Sequence, residues 1–80
     1  MEKLTRLNQL PLEQCARIKE FETSEDIKRR LMDLGMVRDT KIKPVLKSPA
    51  GDPVAYEIRG AVVALRSLVS EAVLVEEVEK

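Results

Sequence analysis

Apolar residues recur with a helical period in one segment of the chain. They stand at i, i+4 and i+7, with charged residues on the other faces: Ile27, Leu31 and Leu34. Thr23 and Ser24 are both suitable N-cap residues before this segment. Gly35 can end a helix by adopting a positive φ, which lets Met36 fold back onto the last turn. The pattern predicts one α-helix at about residues 25–34.

The other apolar segments have the patterns of β-strands. They alternate between apolar and polar residues, or are short and rich in Val and Leu, and they cover residues 14–21, 40–47, 54–59, 62–65 and 72–78. The alternation breaks at Glu20 and Phe21, which predicts a bulge or the end of the first strand. A short helical turn is predicted at about residues 66–71. We therefore predict a mainly-β fold, a small barrel of about five strands whose closure removes exposed edges.

The two middle strands are predicted to form a hairpin across turn-forming residues at 48–53. We set the register so that apolar residues face each other and opposite charges meet. The predicted pairs are Ile42 with Ile58, Leu46 with Val54, and Lys43 with Glu57. Pro44 has no amide hydrogen to donate, so its nitrogen must point away from the pair, at an edge or a bulge.

Length and composition narrow the classes of function. The chain has 80 residues, which we interpret as one domain, residues 1–80, with a thin core. Its 14 Lys and Arg balance 14 Asp and Glu, and its aromatic residues are Phe21 and Tyr56, so nucleic acid is not an expected ligand. No apolar run approaches the roughly 20 residues that span a bilayer, and the N-terminus lacks the apolar core of a signal peptide. We expect a cytoplasmic protein without direct membrane insertion.

Side chains suited to catalysis or metal binding are scarce. Histidine is absent and Cys15 is the single cysteine, so we expect no intramolecular disulfide, no metal site and no cofactor. Nothing in the sequence groups a hydroxyl with a base, and there is no glycine-rich phosphate loop, so we do not expect an enzyme. We expect Cys15 to be a small buried strand residue. Tyr56 is expected in the core rather than in a polyproline-binding groove.

Six short motifs follow one another in a fixed order. They are Leu10-Pro11, Arg30-Leu31-x-x-Leu34-Gly35, Thr40-x-Ile42, Ser48-Pro49-x-Gly51-Asp52-Pro53, Tyr56-x-Ile58-Arg59-Gly60 and Ala64-Leu65-Arg66. In order and spacing, from about Leu4 to Val78, this series resembles the ferrous iron transport protein A (FeoA) family. The resemblance implies an SH3-like β-barrel and a cytosolic accessory role in bacterial ferrous iron uptake. It also implies a partner, a FeoB-type membrane permease with a cytosolic GTPase domain.

Two positions depart from the family pattern. The family usually has Gly soon after Leu-Pro, where this chain reads Leu12-Glu13, and it favours Gly before the Thr of the second strand, where this chain has Asp39. Asp tolerates the left-handed backbone region better than most residues. We expect these departures to affect the shapes of two loops more than the fold.

Basic residues are the candidates for partner binding. We predict that Arg29 and Arg30 on the helix, with Arg59 and Arg66, contact the partner. An arginine supplied in trans can assist phosphoryl transfer, so Arg30 or Arg66 is a candidate for modulating the permease GTPase. Three lysines on one strand face could also dock an acidic surface: Lys41, Lys43 and Lys47. For any single one of these residues, a solvated role is the simpler interpretation.

Two other functions stay open. A similar barrel is appended to DtxR-type metal-dependent repressors, so the chain could be the barrel module of such a regulator. These 80 residues contain no DNA-binding helix-turn-helix, which favours the transport role. The third interpretation is a self-associating module forming a homo-oligomer, because a free edge near Pro44 and a thin core favour self-association.

Overall fold

Six antiparallel strands and two helices make up residues 3–78, the part of the chain that the computed structural model describes. In chain order they are β1 (Thr5–Arg6), a 3₁₀ turn (Leu7–Gln9), β2 (Ala16–Phe21), α1 (Glu25–Asp33), β3 (Lys41–Lys47), β4 (Val54–Ile58), β5 (Ala61–Leu65), α2 (Ser67–Ser70) and β6 (Val73–Glu77). The sheet order is β1-β6-β2-β3-β4-β5. The predicted mainly-β fold is confirmed, with one strand more than expected. β1 was missed because two residues are too few to show a period.

Helix α1 begins and ends close to where the sequence predicted. Ser24 is the N-cap, and its Oγ accepts a hydrogen bond from the amide of Ile27 (3.3 Å), so Thr23 is not the cap. Gly35 has a φ of 97°. The amide of Met36 donates to a carbonyl of the last turn (3.0 Å), which closes the helix as expected for a glycine C-terminal cap.

The apolar stripe of α1 is buried in only one place. Leu31 is 3% exposed, whereas Ile27 is 38% and Leu34 49% exposed. The predicted helix is confirmed, and of its apolar stripe only Leu31 is buried. A nine-residue helix that buries one residue contacts the core through that turn and leaves its other apolar side chains near the solvent.

The β3–β4 register agrees with the prediction over its first half. Ile42 lies opposite Ile58, and Lys43 opposite Glu57. The Lys43 Nζ is 3.7 Å from Glu57 Oε1, so the expected opposite-charge pair is present.

A bulge changes the second half of this hairpin. Pro44 faces Tyr56, but after it the register shifts by one residue, and Leu46 lies opposite Ala55. The predicted pairing of Leu46 with Val54 is therefore wrong, and Leu46 is 66% exposed. An extra residue in one strand reverses the faces of the residues that follow it.

One core holds the sheet together. Its buried apolar members are Leu7, Leu10, Ala16, Ile18, Leu31, Met36, Ile42, Tyr56, Ile58, Leu65, Val73 and Val75. Tyr56 is 1% exposed, which confirms that it belongs to the core. Cys15 was predicted to be a buried strand residue. It is half-buried and lies one residue before β2, so that prediction is wrong.

The first long strand contains the expected irregularity. The register of β2 with β6 shifts between Ile18 and Glu20, so the break in alternation marks a bulge. The sheet itself is open, since within residues 3–78 no ladder joins β1 to β5. The predicted removal of all edges by closure is therefore wrong, and β5 has a free outer side.

Candidate interaction surface

The outer side of residues 43–47, here called the β3 edge, is not covered by a strand. β2 pairs with β3 only at Lys41 and Ile42, so the rest of β3 extends beyond it. The carbonyl oxygen of Pro44 accepts a hydrogen bond from the amide of Glu13 (2.7 Å) on this outer side. The nitrogen and the carbonyl of one strand residue point to the same side, so the Pro44 nitrogen also faces outward, in agreement with the prediction.

Charge adds to the protection of the β3 edge. Lys43 Nζ lies 3.5 Å from Glu13 Oε1 and 3.7 Å from Glu57 Oε1. The Glu13 carboxylate and, less strongly, that of Glu57 raise the pKa of Lys43, because both favour its charged form. Lys47 is exposed at the far end of the same strand. This edge therefore combines a proline, a bulge and lysines.

The hairpin between β4 and β5 is closed by a two-residue turn. Arg59 has a φ of 53° and Gly60 a φ of 85°, so both residues are in the left-handed region, as in the turns that suit a right-handed hairpin twist. The turn pairs Ile58 directly with Ala61. Next to such a turn the first pair exchanges both ladder hydrogen bonds, and hydrogen-bonded pairs then alternate with non-bonded ones.

The outer side of Ala61–Leu65, here called the β5 edge, is bare. From the alternation, Val62 and Ala64 turn their amide and carbonyl groups away from β4. Within residues 3–78 no other segment donates to or accepts from these groups. Val62 is 65% exposed and Ala64 is exposed as well.

The four arginines predicted to bind a partner are all exposed. Arg59 lies against the C-terminal end of α1, since its Cδ is 3.7 Å from the position that a Cβ at Gly35 would occupy. Arg30 belongs to the last turn of that helix. Arg66 follows β5 at the start of α2. The β4–β5 turn therefore places Arg59 at one end of β5, and the start of α2 places Arg66 at the other, while Arg29 and Arg30 stay on α1.

Both departures from the family pattern adopt the conformation that a glycine would. Glu13 has a φ of 72° and Asp39 a φ of 69°. The Asp39 carboxylate accepts from Lys19 Nζ (2.7 Å), and this hydrogen bond and charge lower the pKa of Asp39. The two loops therefore keep a left-handed residue without glycine, held in part by contacts of the substituted side chains.

Two concave regions were not predicted, because their walls come from distant parts of the sequence. A groove of about 430 Å³ between β2 and α1 is lined by Lys19, Glu20, Phe21, Lys28, Met32 and Arg38. A cavity of about 180 Å³ is lined by Cys15, Lys41, Ile42, Lys43, Glu57, Arg59 and Gly60. The second one lies between two lysines of β3 and Arg59, with Glu57 also in its wall.

Two further features concern metals and membranes. Between residues 3 and 78, no three side chains of His, Cys, Asp or Glu are grouped so that they could hold a metal ion. Across the same described residues, neither helix is long and apolar enough to cross a membrane.

Comparison with known proteins gives a family and a fold. The FeoA domain family matches residues 5–77. The solution structure of a FeoA-like protein from Clostridium acetobutylicum has a TM-score of 0.89 and 31% identity, over 100% of this chain and 93% of that one. FeoA from Stenotrophomonas maltophilia, an SH3 domain protein in complex with zinc, has a TM-score of 0.76 and 31% identity, over 88% and 87% of the two chains. No curated protein matches the sequence.

A more distant likeness concerns the fold alone. A manganese-dependent transcriptional repressor superposes with a TM-score of 0.87 at 14% identity, over 98% of this chain and 44% of the repressor. At that identity the agreement shows that the same barrel occurs in a regulator, and it carries no functional argument.

Proposed function

Because this chain belongs to the FeoA family, whose role is in ferrous iron transport, we propose that it is a cytoplasmic, non-enzymatic accessory protein that binds a FeoB-type permease. The single observation that carries this proposal is the family match over residues 5–77. The permease contributes the membrane passage and the GTPase domain, and this chain contributes a surface.

The exposed arginines support the choice of surface. Arg59 and Arg66 lie at the two ends of β5, and Arg30 lies at the helix end that Arg59 contacts. Exposed cations steer and orient an acidic partner more than they add affinity. The partner face is therefore acidic, and its binding weakens as salt is raised.

A capture experiment tests the proposed function. The tagged full chain is incubated with the detergent-solubilised permease and, separately, with its GTPase domain, with and without nucleotide. We expect enrichment of at least one of the two, and less of it with the Arg30→Ala and Arg66→Ala variants. Arg38→Ala is the matched control, since it removes an exposed arginine outside the four. Enrichment of neither partner in any nucleotide state would contradict the proposal.

Modulation of the GTPase is a separate step. We place it on Arg30 or Arg66, because an arginine supplied in trans can stabilise the charge that develops on a transferred phosphoryl group. Hydrolysis by the isolated GTPase domain is measured with saturating wild type and with each variant. Equal rates with wild type, Arg30→Ala and Arg66→Ala would remove this role and leave binding intact.

The repressor likeness supports the alternative only at the level of the fold. A barrel module of a regulator would act within a larger transcription factor, whereas the proposed accessory protein acts on a membrane protein. Capture of the permease distinguishes the two functions.

A further inference from the structure

At the β5 edge, strand-pairing groups meet solvent without a protective residue. Its sequence, Ala-Val-Val-Ala-Leu, contains no charge, no proline and no bulge. Proteins normally protect a free edge with one of these features, because unpaired amides and carbonyls are a template for another strand. The β3 edge shows that this chain uses such protection elsewhere.

The groups at the β5 edge are arranged for one more strand. Val62 and Ala64 each turn an amide and a carbonyl outward, which makes four ladder hydrogen bonds available. The side chains of these two residues share one face and are small or β-branched, so an incoming strand would lie beside apolar neighbours. Adding a strand to a sheet edge is a common mode of peptide recognition.

The strand added at this edge could come from a second copy of this chain or from a partner protein, and the charges beside the edge distinguish between them. Arg59 precedes the edge in the β4–β5 turn and Arg66 follows it, so the two arginines flank the strand at opposite ends. If a second copy paired antiparallel about Val63, Arg59 of each copy would lie one position from Arg66 of the other. Two such like-charge contacts disfavour self-pairing. A segment with acidic residues at both ends would meet an arginine at each.

We propose that the β5 edge accepts an extended segment of a partner protein, apolar at alternate positions and acidic at both ends. The segment adds a seventh strand beside β5, with backbone hydrogen bonds to Val62 and Ala64 and ion pairs to Arg59 and Arg66. This inference rests on the proposed function, because it names the contact by which the barrel surface holds its partner.

A model peptide tests the site directly. The probe is Asp-Glu-Val-Thr-Val-Thr-Val-Asp-Glu, added to the full chain, and the readout is amide hydrogen exchange followed residue by residue by NMR. We expect the amides of Val62 and Ala64 to exchange about tenfold more slowly or better with the peptide bound. The amide of Val63 is already paired to β4 and should change little.

The control peptide carries Lys at the four acidic positions. We expect it to bind about tenfold more weakly at low salt, because each exposed ion pair contributes modestly and two are lost. Equal binding of both peptides, or slowed exchange confined to other residues, would overturn the proposal. In a sample without peptide, the amides of Val62 and Ala64 could become more protected from exchange as the protein concentration is raised. That result would assign the edge to a second copy and would also overturn the proposal.

Variants separate backbone pairing from charge. Val62→Pro removes an outward amide at a position where the hydrogen-bonding to β4 is unaffected, and Val62→Thr keeps that amide as the matched control. We expect Val62→Pro to lose about tenfold or more in peptide affinity and Val62→Thr to stay near wild type. Since a proline in a strand can disturb folding, the double variant Arg59→Gln and Arg66→Gln provides a second test: its affinity for the acidic peptide should lose its dependence on salt.

The permease distinguishes this inference from the proposed function. If folded Val62→Pro captures the GTPase domain as well as wild type, the β5 assignment is wrong and the accessory role stands. If wild type binds the acidic peptide but captures neither the permease nor its domain, the proposed partner is wrong and the β5 site stands.

Discussion

The β3 edge and the β5 edge lie on opposite sides of the same strand, β4, yet they treat their free backbone groups in opposite ways. The β3 edge contains Pro44 and a bulge, and two lysines, Lys43 and Lys47, border it. The β5 edge has five uncharged residues in regular pairing. Since both edges belong to one small sheet, the difference is a property of the sequence at each edge.

The β3 edge is built to avoid pairing with another strand, whereas the β5 edge keeps the groups that such pairing needs. At the β3 edge the outward position has no amide hydrogen, and its carbonyl is occupied by the amide of Glu13 (2.7 Å). At the β5 edge the equivalent groups of Val62 and Ala64 are intact. Proteins normally protect free edges against pairing with other chains, so a bare edge beside a protected one supports the proposed strand-binding role of β5.

The largest effect on stability is expected in β4, the strand that pairs with both β3 and β5. Tyr56 in β4 is fully buried between the hairpins, and removing its ring by Tyr56→Ala should cost about 3–5 kcal/mol of unfolding free energy. Tyr56→Phe is the control and should lose about 1 kcal/mol or less, since it keeps the buried ring and removes only the hydroxyl. Urea unfolding measures both. A loss below about 1 kcal/mol for Tyr56→Ala would mean that the edges do not depend on a common core.

The next effect concerns the protection of the β3 edge. Replacing Lys43 and Lys47 by Thr removes its charges and keeps β-propensity, so the edge should resemble that of β5. We expect concentration-dependent association, detected by sedimentation at about tenfold lower concentration than for wild type. Lys28→Thr in α1 is the control for a lost surface charge. Unchanged association of the double variant would show that Pro44 and the bulge protect this edge without the lysines.

The sequence predicted the pairing at the start of the β3–β4 hairpin, but it did not predict the bulge or the free side of β5. Ile42 opposite Ile58 followed from a period of two, as did the inward Tyr56. The bulge after Pro44 left no sign in the pattern, because one extra residue simply exchanges the faces of its successors, Leu46 among them. The exposed face of a strand also reads the same whether its edge is covered or free, so the bare side of β5 depended on strand order.

The candidate surface shows the same limit. The sequence indicated Arg30, Arg59 and Arg66 as separate members of motifs. The closeness of Arg59 to the end of α1 follows from the fold, since the Arg59 side chain packs near Gly35, which is far from it in sequence. Spacing along a chain does not encode such contacts between elements.

A smaller effect is expected at the loop that covers the β3 edge. Glu13 adopts a φ of 72°, which costs a residue with a Cβ about 1 kcal/mol relative to glycine. Glu13→Gly should therefore stabilise the fold by up to about 1 kcal/mol, reduced by the loss of the Lys43 ion pair. Asp39→Gly is the comparison and should be nearer zero, because Asp tolerates this region and bonds Lys19. Urea midpoints measure both, and destabilisation by Glu13→Gly would show that the ion pair outweighs the backbone strain.

The smallest effect is the pH dependence of the β3 edge. The pKa of Lys43 is raised above its ordinary 10.5, first by Glu13 and then by Glu57, so its contribution is complete below that pH and is lost as pH rises through the raised value. Burial also raises the pKa of Tyr56 above its ordinary 10.0, so Tyr56 too contributes stability that is lost at alkaline pH. The contributions of Lys43 and Tyr56 must therefore be measured separately. In Lys43→Met, stability should fall less steeply above about pH 10 than in wild type, and Lys47→Met is the matched control for loss of a lysine from the same strand. Identical slopes for both variants would assign the alkaline loss to Tyr56 and the core, and would leave the β3 edge protected by shape more than by charge.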